Sequence, residues 1–320
     1  MTQAEKPAKA VRHVEVGPGD AGQRVDNFLL RVLKGVPRSH IYRLLRRGEV
    51  RVNGGRARPE QRLAEGDAVR LPPVRVAAEE APGTVPARLR ATVREAIVHE
   101  DERVVVIDKP SGVAVHGGSG LSFGVIEALR ADRPGQELEL AHRLDRETSG
   151  LLVIAKDRGS LRVLHALLRE GEVSKTYLAL LAGRWTLGKK TVEAPLATHT
   201  RQGGERTVTV NAEGKPSAST FRPIEHFGPE ATLVEVDIHT GRTHQIRVHA
   251  AFAGHPVAGD PKYGDRVFNA RMQARGLERM FLHAHALGFT WPDTGSKCRW
   301  VAGLPPELKT VLADLKPSRR

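Results

Sequence analysis

The sequence predicts an α+β protein in two parts. A small αα-β module lies at the N-terminal end, and a larger domain built on a mainly antiparallel, mixed sheet follows it. Three observations point there. From about residue 96 short apolar runs alternate with Gly/Pro/Asp turns, and helical periodicity appears between some of them. Upstream, two amphipathic helical stretches precede short strand signals around an Asn-Gly turn. Between the two parts lies a Pro-, Ala- and charge-rich stretch without clear periodicity. With 320 residues, 40% of them hydrophobic and 27% charged, the chain has ordinary globular composition and room for a large and a small domain. Residues 1–11 read as a polar, disordered leader, 12–72 as the module, 73–95 as a linker and 96–315 as the large domain.

In the module, Val25, Phe28, Leu29, Val32 and Leu33 follow helical spacing. Pro37 interrupts, and Ser39 is placed to cap a second helix. There Ile41, Leu44 and Leu45 share one face, and Arg43, Arg46 and Arg47 the opposite one. Strand signals follow at Glu49–Val52, at the Asn53-Gly54 turn and at Ala68–Leu71. In the large domain the strand candidates include Val104–Ile107, Leu138–Ala141, Leu151–Ala155, Tyr177–Leu181, Ala231–Ile238 and Phe281–Leu287. Helices are expected at about 122–131, 158–169 and 243–253.

The charge is far from ordinary. A formal +13 and a pI near 10.3 call for a polyanionic partner, nucleic acid or an anionic membrane surface. Gly22 to Leu71 alone holds 12 Lys/Arg against 5 Asp/Glu. A single-sign helix face is often merely solvated, but without interleaved acids it repels itself until an anion arrives. Lys34, Arg38, Arg43, Arg46, Arg47 and Arg51 are therefore the candidate nucleic-acid contacts. No apolar run approaches the ~20 residues of a spanning helix. No secretory leader is visible, and the single cysteine, Cys298, has no partner for a disulfide. A cytoplasmic, non-membrane protein is the expectation. Nothing resembles a dimerisation helix, so a monomer is the default.

Two clusters carry chemistry. His142-Arg-Leu-Asp-Arg-Glu-Thr-Ser-Gly150 puts a carboxylate, two hydroxyls and two guanidiniums in a loop between strands, where functional groups tend to be displayed. An aspartate flanked by arginines stays charged, as a nucleophile or base must. Chemistry alone leaves a salt-bridged turn equally open. In Thr240-Gly-Arg-Thr-His-Gln-Ile-Arg-Val-His249, Thr243 is expected to start a helix carrying Arg247 on its second turn. Such an arginine can reach a carboxylate or phosphate in bidentate fashion, or be a surface charge.

At these residues the chain resembles the RluA-type pseudouridine synthases. HRLDRETSG is similar to their signature loop, with the catalytic aspartate falling on Asp145. Asp108-Lys-Pro-Ser-Gly-Val-Ala-Val-His116 resembles their first motif and Lys175-Thr-Tyr177 their tyrosine motif. TGRTHQIRVH with Gly259-Asp-Pro-Lys-Tyr-Gly264 is similar to their third, and the basic module resembles an S4 RNA-binding domain. Further matches, among them PPVRVA and AVHGGSGLSFGVIEALR, narrow the resemblance to members that act on three uridines of 23S rRNA, free or in a large-subunit assembly intermediate. The resemblance implies that Asp145 attacks the uridine or its ribose. Tyr177 packs against the base and takes the C5 proton late, Arg247 pairs with Asp145, and Arg143 holds the RNA with its target nucleotide flipped out. The base must leave N1 and rejoin through C5, which cannot happen inside a stack, so flipping precedes chemistry. No electron is transferred and no atom is lost, so no cofactor or metal is expected.

Three rivals stand beside this reading. Gly120-Leu-Ser122-Phe-Gly124 satisfies the GxSxG of α/β-hydrolases, but no strand runs straight into its first glycine, and Ser122 reads instead as a helix cap. His283-x-His285 and the group His239, His244 and His249 suggest a metal, yet no HExxH or carboxylate-rich set accompanies them. A non-catalytic RNA-binding protein would need only the basic module, and leaves over 200 residues with the signature loop unexplained.

Overall fold

The computed structural model describes residues 11–33, 36, 38–74, 84–118, 122–200 and 206–316, and the chain divides into two units, one up to Thr84 and one from Val85. Residues 1–10 of the expected leader, Lys34 and Pro37 lie outside the described residues, and so does the side chain of Arg38.

In the first unit β1 (Arg12–Glu15), α1 (Val25–Val32), α2 (Arg38–Arg47), β2 (Arg51–Val52), β3 (Gly55–Arg56) and β4 (Ala68–Leu71) follow in order. The sheet runs β1-β4-β2-β3, with the described pairings antiparallel. Val25, Phe28 and Leu29 of α1 meet Ile41, Leu44 and Leu45 of α2 in one core, closed by Val52, Val69 and Leu71. Asn53 and Gly54 both take positive φ (50° and 78°), the backbone of the tight hairpin turn their sequence announces. Two expectations shift. Helix α2 begins at Arg38, which puts Ser39 inside its first turn rather than at the cap. Only Arg51 and Val52 of the Glu49–Val52 stretch form strand, because Glu49 N–H closes the helix end on Leu44 O.

The second unit starts inside the expected linker. Helix α3 (Ala87–Glu95) buries Val93 with Leu89 against the domain core, and Arg90 and Arg94 pair with Asp132. The i, i+4 pair Leu89/Val93 is the periodicity that its charged neighbours obscured. Then come β5 (Ile97–Glu100), β6 (Val104–Lys109), α4 (Val125–Asp132), β7 (Glu139–Leu140), β8 (Ser149–Ala155), α5 (Arg158–Glu170) and β9 (Ser174–Ala182). They are followed by β10 (Lys190–Glu193), β11 (Leu196–Thr200), β12 (Arg206–Val210), β13 (Ala218–Phe227) and β14 (Ala231–Ile238). The last elements are α6 (Gln245–Phe252), α7 (Arg266–Ala274), β15 (Leu282–Thr290), β16 (Lys297–Val301) and α8 (Pro306–Leu315).

The main sheet has 10 strands, its principal path being β10-β13-β14-β9-β15-β8-β6-β5. Every described pairing in it is antiparallel except β15 with β8, which makes it the mixed, mainly antiparallel sheet expected. All seven residues of β8 are buried because both faces are covered. Val105, Ile107, Leu152 and Ile154 pack on α4 and α6 on one face, and Val104, Val106, Leu151 and Val153 on α5 on the other. Helix α4 starts three residues after Ser122, and the Gly124 N–H is taken by the Glu127 carboxylate at 2.8 Å, so Ser122 is not the cap. Of the expected Leu138–Ala141 strand only Glu139 and Leu140 pair.

Strand β15 ties the two sides of the sheet together. Its Ala284 lies in register with Tyr177 of β9 on one side and with Gly150 of β8 on the other. Gly150 has φ 109°, and a Cβ there would stand 2.3 Å from the Ala284 carbonyl oxygen. Backbone strain and a clash with backbone coincide at this residue. Gly150→Ala is expected to cost about 3 kcal/mol or more of stability. A denaturation midpoint equal to wild type would show that the sheet tolerates the methyl group.

Candidate active site

The loop 141–148 between β7 and β8 carries Asp145, and it is laced to the segment after β6. Lys109 Nζ donates to the carbonyls of Pro110, Val113 and Arg146 at 2.9, 2.8 and 3.0 Å. Burial pushes Lys109 down to about 7. Three carbonyl acceptors nevertheless occupy all three ammonium protons, an arrangement only the charged form fills. Gly112 N–H and Ser111 Oγ bond the carbonyls of Arg146 and Glu147 at 2.9 and 2.8 Å. The loop is a rigid display for Asp145, whose side chain is 21% exposed.

Arg247 meets it from α6. Its Nη1 donates to Asp145 Oδ2 at 3.2 Å, while Nε and Nη2 grip Asp260 at 2.7 and 2.8 Å in a bidentate pair. The Asp260 carboxylate is fully buried and also accepts the Lys262 and Tyr263 N–H groups. Burial works against both charges, but their mutual bonds outweigh it. Arg247 is held above its ordinary value, and Asp260 below the usual carboxylate range. Arg247 thus joins a buried carboxylate to a partly exposed one. Helix α6 begins at Gln245, two residues later than expected, because His244 takes the left-handed backbone conformation (φ 54°). That places Arg247 on the first turn rather than the second.

Tyr177 enters from β9, lines the same pocket as Asp145 and is 8% exposed. Burial, with the Asp145 charge adding to it, pushes its phenol above the ordinary value and keeps it neutral. The Arg143 side chain is exposed and makes no hydrogen bond or ion pair with the described residues. Arg143, Asp145, Thr148, Tyr177, His244 and Arg247 help line one open cleft, whose space, counted with the solvent at its opening, is about 530 Å³.

The structure therefore brings Asp145, Tyr177, Arg247 and Arg143 together, although 104 positions separate the first and last of them in sequence. Sequence reasoning gave Asp260 and Tyr263 no role of their own and weighed His244 only as a metal ligand. His244 Nε2 lies 3.9 Å from Asp145 Oδ2, and its Nδ1 lies 2.9 Å from Tyr263 Oη. Tyr263 also covers the Arg247 guanidinium, 5.0 Å from its ring centroid. A signal existed: Asp260 and Tyr263 sit in a Gly-Asp-Pro-Lys-Tyr-Gly turn too rich in chemistry for a plain connection. Two of the histidines weighed as metal ligands spend both ring nitrogens on protein partners. His283 bonds Ser149 Oγ and the Ala302 carbonyl, and His249 bonds Ser219 Oγ and the Ala194 carbonyl.

In the first unit Arg43, Arg46, Arg47 and Arg51 are exposed while Ile41, Leu44 and Leu45 are buried, as the helical spacing required. Arg47 stands 3.8 Å from Glu49, and Arg51 donates to the Gly54 carbonyl at 3.1 Å.

A mixed sheet displaying an aspartate loop against an arginine, preceded by a basic αα-β unit, is the arrangement of an enzyme whose partner is a polyanion. Two family models match in those places: the S4 domain over residues 23–69 and RNA pseudouridylate synthase over residues 103–252. The chain belongs to the RNA pseudouridylate synthase family and is a pseudouridine synthase. It is 50% identical to the ribosomal large subunit pseudouridine synthase C of Haemophilus ducreyi over 100% of both chains. The proteins of that name from Yersinia pestis and Escherichia coli K12 are 53% and 52% identical, covering 96% and 97% of this chain and 96% and 98% of theirs. Among solved structures, the human RNA pseudouridylate synthase domain containing 4 is similar with a TM-score of 0.58 at 26% identity, over 71% of this chain and 95% of that one. The corresponding human protein 1 gives 0.56 at 28%, over 68% and 86%.

Proposed function

We propose that this enzyme converts particular uridines of 23S rRNA to pseudouridine, with Asp145 as its catalytic carboxylate. The observation that carries the reading is the Arg247 guanidinium holding Asp145 in a pocket that Tyr177 also lines. Asp145 attacks the uridine or its ribose and assists cleavage of the bond between N1 and C1′. Arg247 fixes its charge and direction. Tyr177 offers an aromatic face to the unstacked base, and Arg143, whose guanidinium has no partner among the described residues, holds the RNA with the nucleotide flipped out. The chemistry demands no cofactor, and a cytoplasmic monomer working on rRNA or an assembly intermediate suffices. Support for the ribosomal substrate comes from full-length likeness to enzymes named for the large ribosomal subunit.

The test is to map pseudouridines in 23S rRNA by carbodiimide-dependent primer-extension stops. Stops that vanish in a deletion strain and return with the native gene establish the substrate, and an unchanged map moves it to another RNA. The arginine face of α2 adds a second expectation. Replacing Arg43, Arg46 and Arg47 together by Ala should flatten the salt dependence of RNA affinity by roughly 0.7–0.9 logarithmic units for each phosphate the face no longer neutralises. An unaltered slope would remove that face from the RNA grip.

A further inference from the structure

The isomerisation ends with a step that Asp145 and Tyr177 serve poorly. Once C5 has joined the ribose it still carries its hydrogen, and a base must take that proton. A neutral phenol cannot accept it readily, and Tyr177 is held neutral by burial and by the Asp145 charge, with no hydrogen-bond partner among the described residues to draw off its own proton. Asp145, released from carbon once C5 has joined the ribose, is still held by the Arg247 guanidinium at 3.2 Å.

One more group that can move a proton faces the pocket. His244 stands at the head of α6 with φ 54°, one of two non-glycine residues with positive φ among the described residues. The other is the Asn53 of a hairpin turn. A side chain held in a sparsely populated backbone conformation beside a reactive carboxylate is aimed there by its surroundings. The aim is fixed at both ring nitrogens. Nε2 points into the pocket 3.9 Å from Asp145 Oδ2, and Nδ1 lies 2.9 Å from Tyr263 Oη. Tyr263 is itself pinned, since its oxygen accepts the Val208 N–H at 2.9 Å and its ring lies over Arg247.

We propose that His244 takes the C5 proton, with Tyr263 as the residue that sets its tautomer. This rests on the uridine-to-pseudouridine reading of the pocket. Tyr263 Oη has two lone pairs, one for Val208 N–H and one for His244 Nδ1–H, which leaves Nε2 bare toward the substrate. In the step, the C5–H bond breaks and a new Nε2–H bond forms. The electron pair restores the C5–C6 double bond, and the C6–N1 pair returns to N1, which takes a proton from water. The imidazolium so formed donates from Nδ1 to Tyr263 and faces the Asp145 carboxylate, then returns its proton to water. Nothing is oxidised or reduced.

The groups around the ring suit a base that starts uncharged. Burial lowers His244 most, and Arg247 from α6 and Lys262 from the following turn act the same way. Asp145 from its loop and Asp260 oppose them. The ring is therefore neutral at physiological pH and is stabilised once protonated by the carboxylate it faces.

The experiment measures single-turnover conversion of an RNA that the wild-type enzyme modifies, with the target uridine carrying hydrogen or deuterium at C5. His244→Asn keeps a side chain that tolerates left-handed backbone. It should slow conversion by about a hundred-fold or more. Its rate should also become sensitive to deuterium by several-fold, because proton removal now limits it. A rate near wild type, or a slow rate indifferent to deuterium, overturns the proposal and leaves the proton to Asp145. A slow, indifferent rate is also the result expected of a ring that carries its hydrogen on Nε2 and can only donate. His244→Gly offers an independent check, since added imidazole should restore turnover in it, and no restoration counts against His244 as the base. If the wild-type enzyme converts some RNA but no 23S rRNA fragment, the substrate reading fails while the isotope readout still decides the role of His244.

Discussion

Asp145→Asn is expected to remove turnover, by on the order of 10⁴-fold or more, while leaving the protein folded and able to bind RNA. The substitution deletes one charge and no volume. Arg247 keeps its two bonds to Asp260, so the buried pair survives. The loop also keeps its shape, because Lys109, Ser111 and Gly112 hold it through the carbonyls of Arg146 and Glu147 and not through the Asp145 side chain. The quantity to measure is pseudouridine in the target RNA beside the affinity of the variant for the same RNA. Retained turnover would end the assignment of Asp145.

Arg247→Ala should fail in a different way. Removing this side chain unpairs Asp145 and also strips a fully buried carboxylate of both its guanidinium bonds. Stranding one partner of a buried ion pair typically costs about 3–5 kcal/mol. The variant is therefore expected to lose stability on that scale in addition to nearly all activity, whereas Asp145→Asn loses activity alone. Arg247→Lys restores charge but cannot span three oxygens on two carboxylates, so it should recover part of the stability and little of the rate. Asp260 is held below the usual carboxylate range. The contribution of the pair is thus fully present above that ordinary range and is lost as the pH falls through the lowered value. A thermal midpoint of Arg247→Ala equal to wild type would show that Asp260 finds other partners.

The legible part of this protein is whatever short windows encode. Helix α5 lies where periodicity placed it, from Arg158 to one residue past the expected end, and Asp157 caps it through the Ser160 N–H. Apolar runs such as Val104–Ile107 and Leu151–Ala155 read as strands because both faces of those strands are buried. Asp145, Tyr177, Arg247 and Arg143 were legible through short motifs and meet in one pocket. Helix boundaries were less so. The start of α6 depends on the conformation of His244, which its contact with Tyr263, 19 positions away, helps to hold. Helix α3 was hidden because only two apolar residues mark it among charges that α4 neutralises from a distance. The functions of Asp260 and Tyr263 were illegible for the same reason. Asp260 accepts the N–H groups of Lys262 and Tyr263 in its own turn, but its bonds to Arg247 and the contact of Tyr263 with His244 form only across the gap to α6.

The placement of β15 has a consequence in time. It is the strand that joins the β8 side of the sheet, which presents Asp145, to the β9 side, which presents Tyr177, yet it is among the last strands to be synthesised. At roughly 5–20 residues per second, Asp145 leaves the ribosome on the order of ten seconds before β15 does. Through that interval the two halves of the pocket have no strand between them. A nascent chain that already carries its S4 domain can hold RNA, but it can modify none until nearly its whole length has emerged. The order of translation thus separates binding from chemistry, and an interrupted chain is left inert.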